Sequence, residues 1–479
     1  MQRVLLLTIF LFAASAASAQ PLVLFPSPLI IPPQFQKYYD SAETVYLPTG
    51  FTATVYYTGT LVSPRFMALD SEGNVCVADG STSTVVRLVD TNNDGVADTA
   101  ITIATGTDGA EDIAFHHGDL FAAASGQTYK YSAPDARGIF SARDVFIMGI
   151  GNAPQGTDNH TSRTLLFDDH SNSLFMSVGS PCDACRELDT MRASIVRYNQ
   201  DGTDPTLFAS GLRNAVGLAL DSSGQLWATV AERNNQGADT PAELLTGIEQ
   251  GAFYGWPLAF GNHTWDDFEI DSEYRAMLPI THEDSIRVAD MRVPDATIAA
   301  HSTTMNRIRP HKCDGTDGRL IANGSKIVLL QKIGGAWATQ NFCTGFLTDS
   351  IHYLRWARPC GILLDHRGNI YFSSDHTSPH STPAIFRISY DAANAVAPDP
   401  IAAQLSLSPN PTTGIVLASG IPTNIESIVV TNPLGATVLE ARTPQGPRFE
   451  IDLSALPAGT YFVRFQTPRG FITKKVIRE

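Results

Sequence analysis

The fold is decided by the stretch Leu218-Ala-Leu-Asp-Ser-Ser-Gly-Gln-Leu-Trp-Ala-Thr229. Apolar residues flank a polar turn that ends in glycine, which is the pattern of a β-hairpin with a tight turn. The pattern recurs at Met67–Ala78, Ile113–Ala123, Leu165–Val178 and Ile362–Ser373. The first four copies begin about fifty residues apart, which is the period of a propeller blade. One blade cannot bury both of its faces, so the copies are expected to stack radially.

Between the fourth and fifth copies lie roughly 130 residues, which leave room for another blade and a long insertion. Leu320–Leu330 is a candidate for the missing hairpin. The sequence therefore predicts an all-β chain with a six-bladed β-propeller over residues 42–391. Seven blades are the alternative.

The last residues, 404–479, show alternating apolar residues between turns, which predict a small C-terminal β-sandwich. The preceding stretch, 392–403, is rich in Ala and Pro and is interpreted as a linker. The module contains Pro409-Asn-Pro-Thr-Thr-Gly414, Leu456-Pro-Ala-Gly-Thr-Tyr461 and a basic end. It resembles the C-terminal sorting domain of the type IX secretion system, which implies that machinery as a partner. The alternative is an ordinary appended sandwich that binds a ligand.

The amino-terminal residues 1–19 have the pattern of a secretory signal peptide. A positive start, Met1-Gln-Arg3, precedes the apolar run Val4–Ala17, and Ala17-Ser-Ala19 forms a small-residue cleavage site. No later segment is long and apolar enough to predict a transmembrane helix. The mature protein is therefore expected to be exported through the periplasm and then secreted or held at the cell surface.

Composition excludes some functions. The chain has 479 residues and a formal net charge of −15, which argues against nucleic acid as a partner. Its six cysteines suit an oxidising compartment. For the pair Cys182 and Cys185, a local disulfide is expected ahead of a zinc site, which lacks further ligands, and of a thioredoxin-like pair, which lacks a βαβ context.

Two polar loops precede predicted hairpins at equivalent places. His160 lies in the loop before the third hairpin, where a propeller's cleft usually lies, and a histidine there can act as a general base. Arg213 precedes the fourth hairpin and offers a five-donor fork for a carboxylate or an oxyanion, with Asn214 able to orient a neighbour. Taken alone, His160 is better explained as a loop histidine satisfied by its neighbours, whereas Arg213 is equally compatible with a buried structural role.

Three further stretches carry candidate ligand-binding groups. Asn235–Leu245 is an acidic loop of the kind that a hard cation such as Ca²⁺ requires, although a solvated loop has the same composition. Tyr254-Gly-Trp-Pro257 could line a pocket or simply pack in the core. Arg355 and Arg358 place cations before the last hairpin and suggest an anionic ligand, with surface ion pairs as the alternative.

In order and spacing, these pieces resemble the soluble quinoprotein glucose/sorbosone dehydrogenases over about Leu47–Tyr390. The matching motifs share their order along the chain: His-x-Ser-Arg-Thr-Leu at 160–165, Val-Gly-Ser-x-Cys-x-x-Cys at 178–185, Gly-Leu-Arg-Asn-x-x-Gly-Leu at 211–218, Pro-x-Glu-Leu at 241–244, Tyr-Gly-Trp-Pro at 254–257 and Arg-Pro-x-Gly at 358–361. The resemblance implies a six-bladed propeller that holds pyrroloquinoline quinone (PQQ) and Ca²⁺ above its channel.

The resemblance also implies roles for individual residues. His160 would take the hydroxyl proton of a small carbohydrate substrate, and Arg213 would stabilise charge on the quinone. The remaining implied residues are those that would contact PQQ, namely Asn214, Tyr254, Trp256 and Arg358, and those that would hold Ca²⁺, namely Glu243 with the carbonyls of Gly237 and Ala238. The function implied is a secreted PQQ-dependent sugar dehydrogenase that oxidises an aldose at C1.

The chain departs from the family pattern at three places. In the family, a carboxylate residue often directly precedes the catalytic histidine, whereas here Asn159 precedes His160. Ser180 is more typical of the sorbosone dehydrogenase group than of the glucose dehydrogenase group. The region after Ala300-His-Ser302 looks abbreviated, and Arg307 or Lys312 would have to supply its usual basic residue. This motivates an alternative function, a cofactor-less propeller that serves as a surface carbohydrate- or protein-binding module. A lactonase-like propeller hydrolase is a third.

One more loop, Asp90-Thr-Asn-Asn-Asp-Gly-Val-Ala-Asp98, begins like a calcium-binding loop. Its twelfth position is Ile101 instead of Glu, and no helices flank it. A tight turn stabilised by Asp and Asn side chains between two strands is the preferred interpretation.

Overall fold

A computed structural model describes most of the chain. The described residues are 23–39, 43–150, 160–185, 187–221, 223–232, 244–260, 264–265, 326–333, 336–349, 354–375, 382–391, 405–421, 425, 427–432, 437–441, 448–467 and 470–479. The chain divides into two compact units, Met1–Asp391 and Ala392–Glu479. The signal-peptide prediction, 1–19, lies outside the described residues.

In its described residues, the first unit consists of antiparallel sheets with two short 3₁₀ helices, Pro33–Tyr38 and Gly80–Thr82. Its strands as far as residue 247 are β1 (Leu24–Pro28), β2 (Thr44–Pro48), β3 (Phe51–Thr58), β4 (Pro64–Leu69), β5 (Val75–Asp79), β6 (Thr84–Val89), β7 (Thr99–Thr105), β8 (Asp112–His116), β9 (Asp119–Ala123), β10 (Gln127–Tyr131), β11 (Arg143–Met148), β12 (Arg163–Asp168), β13 (Ser173–Val178), β14 (Ser194–Asn199), β15 (Thr206–Ser210), β16 (Ala215–Leu220), β17 (Leu226–Val230) and β18 (Leu244–Gly247).

Its remaining strands are β19 (Ala259–Phe260), β20 (Thr264–Trp265), β21 (Ile327–Ile333), β22 (Ala336–Cys343), β23 (Leu347–Asp349), β24 (Leu354–Arg355), β25 (Pro359–Leu364), β26 (Ile370–Ser374) and β27 (Ala384–Tyr390). The main sheets are β4–β7, β8–β11, β12–β15, β16–β18 and β25–β26–β27–β3. They are called the first, second, third, fourth and last sheet below. Short two-stranded sheets pair β1 with β2, β19 with β20, β21 with β22 and β23 with β24.

The sheets follow one another around a common centre. The first strands of successive sheets contact each other in the order β25, β4, β8, β12 and β16. The early strand β3 pairs antiparallel with β27, so it completes the last sheet and closes the ring between distant parts of the chain. This is the architecture of a β-propeller. The all-β prediction is confirmed, whereas the number of blades stays a prediction.

The repeated turns explain why the five quoted copies form hairpins. In three of them an aspartate carboxylate, from Asp70, Asp221 or Asp365, accepts the backbone N–H groups two and four residues later. The glycine three positions after each aspartate has φ of +83° or +84°. Such a left-handed conformation strains any residue with a side chain. The pattern Asp-x-x-Gly therefore specifies the turn by itself.

The inner strands of the sheets are more deeply buried than the outermost strands. Every residue of β13 is buried, and so is every residue of β17, because these second strands pack between neighbouring sheets. The fourth strand β11 is mostly exposed. Each pair of consecutive sheets shares an apolar cluster. Phe121, Leu165 and Met176, for example, fill the space between the second and third sheets.

Strand β21 overlaps the end of the stretch Leu320–Leu330, where a hairpin is expected. Strand β21 pairs with β22, and the residues between them are Gly334-Gly335. Two glycines between apolar strands are themselves a hairpin signal in the sequence. The turn expected at Asn323-Gly324 lies outside the described residues.

The loop Asp90–Asp98 is a turn between β6 and β7. The Asp90 carboxylate accepts the N–H groups of Asp94 and Gly95, and that of Asp98 accepts the N–H of Thr91 at 2.8 Å. Hydrogen bonds from the side-chain hydroxyl and the backbone N–H of Thr91 hold the pKa of Asp98 below its usual range. The preferred interpretation as an Asp-rich turn is therefore confirmed.

The second unit contains two antiparallel sheets around one core. The strands are β28 (Ser406–Ser408), β29 (Ile415–Ser419), β30 (Ser427–Thr431), β31 (Thr437–Ala441), β32 (Arg448–Asp452), β33 (Gly459–Thr467) and β34 (Gly470–Arg478). Their orders are β28–β29–β32 and β31–β30–β33–β34. Val416 and Ile451 of one sheet lie in the same buried cluster as Val430 and Val463 of the other. The predicted small sandwich is confirmed. Among the described residues, no helix is long and apolar enough to cross a membrane.

Candidate functional site

His160 lies three residues before β12, at the start of the third sheet's first strand. Its side chain is buried, and its Nδ1 lies 2.7 Å from the carbonyl oxygen of Ser180 and 3.0 Å from that residue's hydroxyl oxygen. A carbonyl oxygen only accepts hydrogen bonds, so Nδ1 carries the ring proton. Nε2 is then the basic nitrogen of the neutral ring, which is the form that a general base requires.

Gly179 allows His160 and Asn214 to approach the same point of the backbone. A Cβ atom at position 179 would lie 2.5 Å from the Cβ of His160 and 2.6 Å from the Oδ1 of Asn214. Only glycine fits there without displacement of one neighbour. The structure thus brings together two residues from loops that are more than fifty positions apart in the sequence.

Asn214 is buried, and its side-chain oxygen has no hydrogen-bond partner among the described residues. Its backbone is fixed, because its carbonyl accepts the N–H of Ala231 at 2.8 Å. A buried acceptor without a partner costs about 1–3 kcal/mol. Such an atom beside a candidate base marks a place where a polar ligand group would be favourable.

Cys182 and Cys185 form a disulfide with a Cα–Cα distance of 6.1 Å, which confirms the local pairing. The short loop that it closes is held by two predicted site residues. Arg213 donates from Nε to the Asp183 carbonyl at 2.9 Å and from Nη2 to the Asp183 carboxylate at 2.6 Å. The indole N–H of Trp256 donates to the same carbonyl at 3.0 Å. The loop is therefore a fixed part of the site.

These contacts give Arg213 a role that its motif did not suggest. Its Nη1 donates to the carbonyl of Ala231 at 3.0 Å, so three of its five N–H groups already form hydrogen bonds within the protein. The residue is almost fully buried and joins the disulfide loop to the end of β17. Contact of Arg213 with a quinone oxygen stays a prediction.

Tyr254 lies behind this site, in the apolar cluster between the third and fourth sheets. Its hydroxyl donates to the carbonyl of Gly247 at 2.7 Å and accepts the N–H of Glu249 at 3.0 Å. These bonds fix the turn after β18. Contact of Tyr254 with a cofactor stays a prediction.

Arg358 lies just before β25 and belongs to a buried network of charged residues. Its Nη1 is 3.6 Å from Oδ1 of Asp375, whose Oδ2 accepts Nη1 of Arg65 at 2.5 Å. Nη2 of Arg65 donates to Glu111 at 3.0 Å, and that carboxylate also accepts the hydroxyl of Ser162 at 2.5 Å. The network runs from the last sheet through the first and second sheets to the third. Ser162 is two residues from His160, so the network links Arg358 to the histidine's own loop.

Arg65, Glu111 and Asp375 lie outside the motifs from which the site was predicted. The sequence does contain a signal for two of them. Arg65 and Glu111 each lie two positions before the first and second hairpin copies, and Arg163 lies two positions before the third. A blade needs no charge at the start of its innermost strand. Three charges at the equivalent place indicate that these strand ends meet around one polar site.

Asp112, at the start of β8, carries a perturbed carboxyl group. Burial raises its pKa to about 7, and the N–H of Leu165, which donates to Oδ2 at 2.7 Å, acts in the opposite direction. The group also joins the second sheet to the third. Gly237, Ala238 and Glu243, the predicted Ca²⁺ ligands, lie outside the described residues, so that prediction stays open.

The comparisons agree with this architecture. Residues 45–297 match the family described as TrAA12-like, and residues 406–479 match the secretion system C-terminal sorting domain. The first unit has the fold of a family AA12 carbohydrate-active enzyme from Trichoderma reesei, with 20% identity, a TM-score of 0.55 and coverage of 72% of this chain and 97% of that one. The PQQ domain of pyranose dehydrogenase from Coprinopsis cinerea, in its holo form, gives 17% identity, a TM-score of 0.54 and coverage of 72% and 97%. No curated protein matches the chain.

The chain belongs to the TrAA12-like family of PQQ-dependent sugar dehydrogenases, and it carries a C-terminal sorting domain of the type IX secretion system. The sorting domain marks the protein for export to the cell surface or beyond. Family membership makes the protein an oxidoreductase of this class.

Proposed function

We propose that the protein is a secreted quinoprotein that oxidises an aldose or a related sugar at C1, with PQQ as the hydride acceptor and Ca²⁺ as its metal. The single observation that carries this proposal is the fixed tautomer of His160, whose Nδ1 lies 2.7 Å from the Ser180 carbonyl. Because Nδ1 donates to that carbonyl, Nε2 is the nitrogen that can take a proton, and the side chain is buried.

The residues present fit such a cofactor. The buried Oδ1 of Asn214 has no partner among the described residues, and a ligand that supplies an N–H or an O–H would satisfy it. Arg65 and Arg358 lie at the same ends of the strands, where the carboxylates of Asp375 and Glu111 balance their charge. We propose that Asn214, Tyr254, Trp256 and Arg358 would contact PQQ, and that Glu243 with the carbonyls of Gly237 and Ala238 would hold Ca²⁺.

When bound, PQQ supplies the hydride acceptor and Ca²⁺ the Lewis acid. The chain supplies the proton acceptor: Nε2 of His160 takes the proton of the C1 hydroxyl. The resulting imidazolium is stabilised at Nδ1 by the carbonyl of Ser180, which is fixed in turn because the N–H of Ser180 donates to the carbonyl of Arg213 at 2.7 Å. Arg213 and Trp256 hold the disulfide loop that follows Ser180, so the base keeps its orientation.

The test is a titration of the metal-free protein with PQQ, with and without Ca²⁺, followed by a panel of aldoses. Ca²⁺-dependent uptake of one PQQ per chain, and reduction of the bound quinone by an aldose, are the expected results. Absence of uptake would reject the dehydrogenase and favour the cofactor-less binding module. Uptake without reduction by any aldose would retain the cofactor and reject the substrate class.

A further inference from the structure

A second cluster of ligand-type side chains lies at the opposite ends of the same inner strands. His116 ends β8, His117 begins the turn to β9, and Asp169 directly follows β12. The candidate site described above is at the starts of β8 and β12. Because a strand rises about 3.3 Å per residue, the two places are about 15–20 Å apart along the strands.

The three side chains converge on one point. One ligand atom from each lies within 4.8 Å of the other two. Nε2 of His116 is 3.8 Å from Oδ1 of Asp169, and Nε2 of His117 is 3.9 Å from the same oxygen. Ligands at about 2.0–2.1 Å from a tetrahedral metal are roughly 3.3–3.5 Å apart. Shifts of up to about 1.5 Å at the exposed His117 and Asp169 would therefore close the site.

The buried ring nitrogen of His116 is independent evidence that this cluster binds a ligand. Its side chain is nine-tenths buried, with 10% exposed, and its Nε2 has no hydrogen-bond partner among the described residues. The imidazole stacks on Phe167 with 4.2 Å between ring centroids and 8° between ring planes, which fixes the direction of Nε2. A buried nitrogen held towards a carboxylate and a second imidazole is arranged as a metal ligand is.

The carboxylate of Asp169 is held in place by a neighbouring amide. The amide of Gln200 donates to Oδ1 of Asp169 at 2.9 Å and to the carbonyl of Asp168 at 3.2 Å. This contact orients the carboxylate, as supporting residues do in metal sites.

We propose that His116, His117 and Asp169 bind a divalent transition-metal ion, with Zn²⁺ as the best match. Two imidazoles and one carboxylate suit zinc, whereas Ca²⁺ takes oxygen ligands. Three protein ligands leave a fourth position for water or for a group from another molecule. The site is separate from the Ca²⁺ site proposed above and does not depend on the dehydrogenase activity.

The test is calorimetric titration of the untagged full chain with Zn²⁺ in excess Ca²⁺, together with Co²⁺ absorption as a probe of coordination. His117→Asn suits the left-handed backbone there, φ 49°, and removes an imidazole. Asp169→Asn removes the carboxylate. His170→Gln is the matched control, since that exposed histidine is next in sequence and is not one of the three ligands.

We expect one tight Zn²⁺ site per chain, a loss of affinity of about 10–100-fold or more in His117→Asn and Asp169→Asn, and unchanged affinity in His170→Gln. Wild-type affinity in both ligand variants would overturn the proposal, because the bound metal would then lie elsewhere. Failure of the wild-type chain to bind Zn²⁺ or Co²⁺ would overturn it as well. Both ligand variants change exposed side chains, and circular dichroism will verify that they are folded.

Discussion

The ring nitrogen Nδ1 of His160 lies 2.7 Å from the carbonyl oxygen of Ser180, which directly follows the glycine after β13. The contact joins the loop before β12 to the end of its neighbouring strand. It sets the tautomer of the imidazole and therefore decides which nitrogen can take a proton.

His160→Gln is expected to lower the kcat of dye-coupled sugar oxidation by about 10²–10⁴-fold, which is the usual contribution of a general base. The Gln amide can still donate to the Ser180 carbonyl, so PQQ uptake should persist. Steady-state kinetics and PQQ titration on the same preparation measure the two effects. His170→Gln is the control. Oxidation at the wild-type rate in His160→Gln would rule out the proposed mechanism.

Gly179→Ala is expected to destabilise the protein by about 1–3 kcal/mol and to impair sugar oxidation, because its Cβ would overlap the Cβ of His160 at 2.5 Å. Gly247→Ala is the matched control, since its Cβ would meet its nearest neighbour at 3.8 Å. Chemical denaturation measures the difference between the two variants. Equal stability in both would show that position 179 has room that the structure does not indicate.

Arg213→Lys keeps the charge but loses the fork that contacts both the carbonyl and the carboxylate of Asp183. We expect faster hydrogen exchange in the disulfide loop and PQQ affinity weakened by roughly tenfold, about 1.4 kcal/mol. The exposed Arg137, which pairs with Asp135 on the surface, supplies the control Arg137→Lys. Unchanged exchange in Arg213→Lys would mean that the disulfide alone fixes the loop.

The raised pKa of Asp112 predicts that the free energy of unfolding depends on pH. Its native pKa of about 7 lies above the unfolded value of about 3.9, so the native state holds the proton more tightly. The free energy of unfolding should therefore fall as pH rises from about 4 to about 7 and level off above that. The contribution of this group is on the order of 4 kcal/mol.

Asp112→Asn should remove this part of the slope, because an amide cannot ionise and can still accept the N–H of Leu165. Denaturation curves at several pH values between 4 and 8 measure it. Asp144→Asn, at an exposed position of β11, is the control and should leave the slope as it is. Parallel curves for wild type and Asp112→Asn would contradict the raised pKa.

The local pattern of the sequence was enough to predict the hairpins. Every quoted copy coincides with a pair of strands. In three of them an aspartate, a glycine three positions later and flanking apolar residues determine a tight turn within a few residues. The sandwich and the disulfide between Cys182 and Cys185 were predicted for the same reason, since their signals also lie within short stretches. The hairpin predicted at Leu320–Leu330 stays a prediction, because residues 320–325 lie outside those that the structure describes.

The sequence by itself determined the fold class, the two units and the candidates His160, Arg213 and Asn214. Tertiary structure alone decided what these residues touch. Gly179 packs against both His160 and Asn214, and Arg65 joins Asp375 to Glu111 across sheets that are far apart in the chain. Contacts of this kind depend on the closure of the ring by β3 and on the order of the inner strands. Such distances are set by packing over hundreds of residues, and no short pattern of residues encodes them.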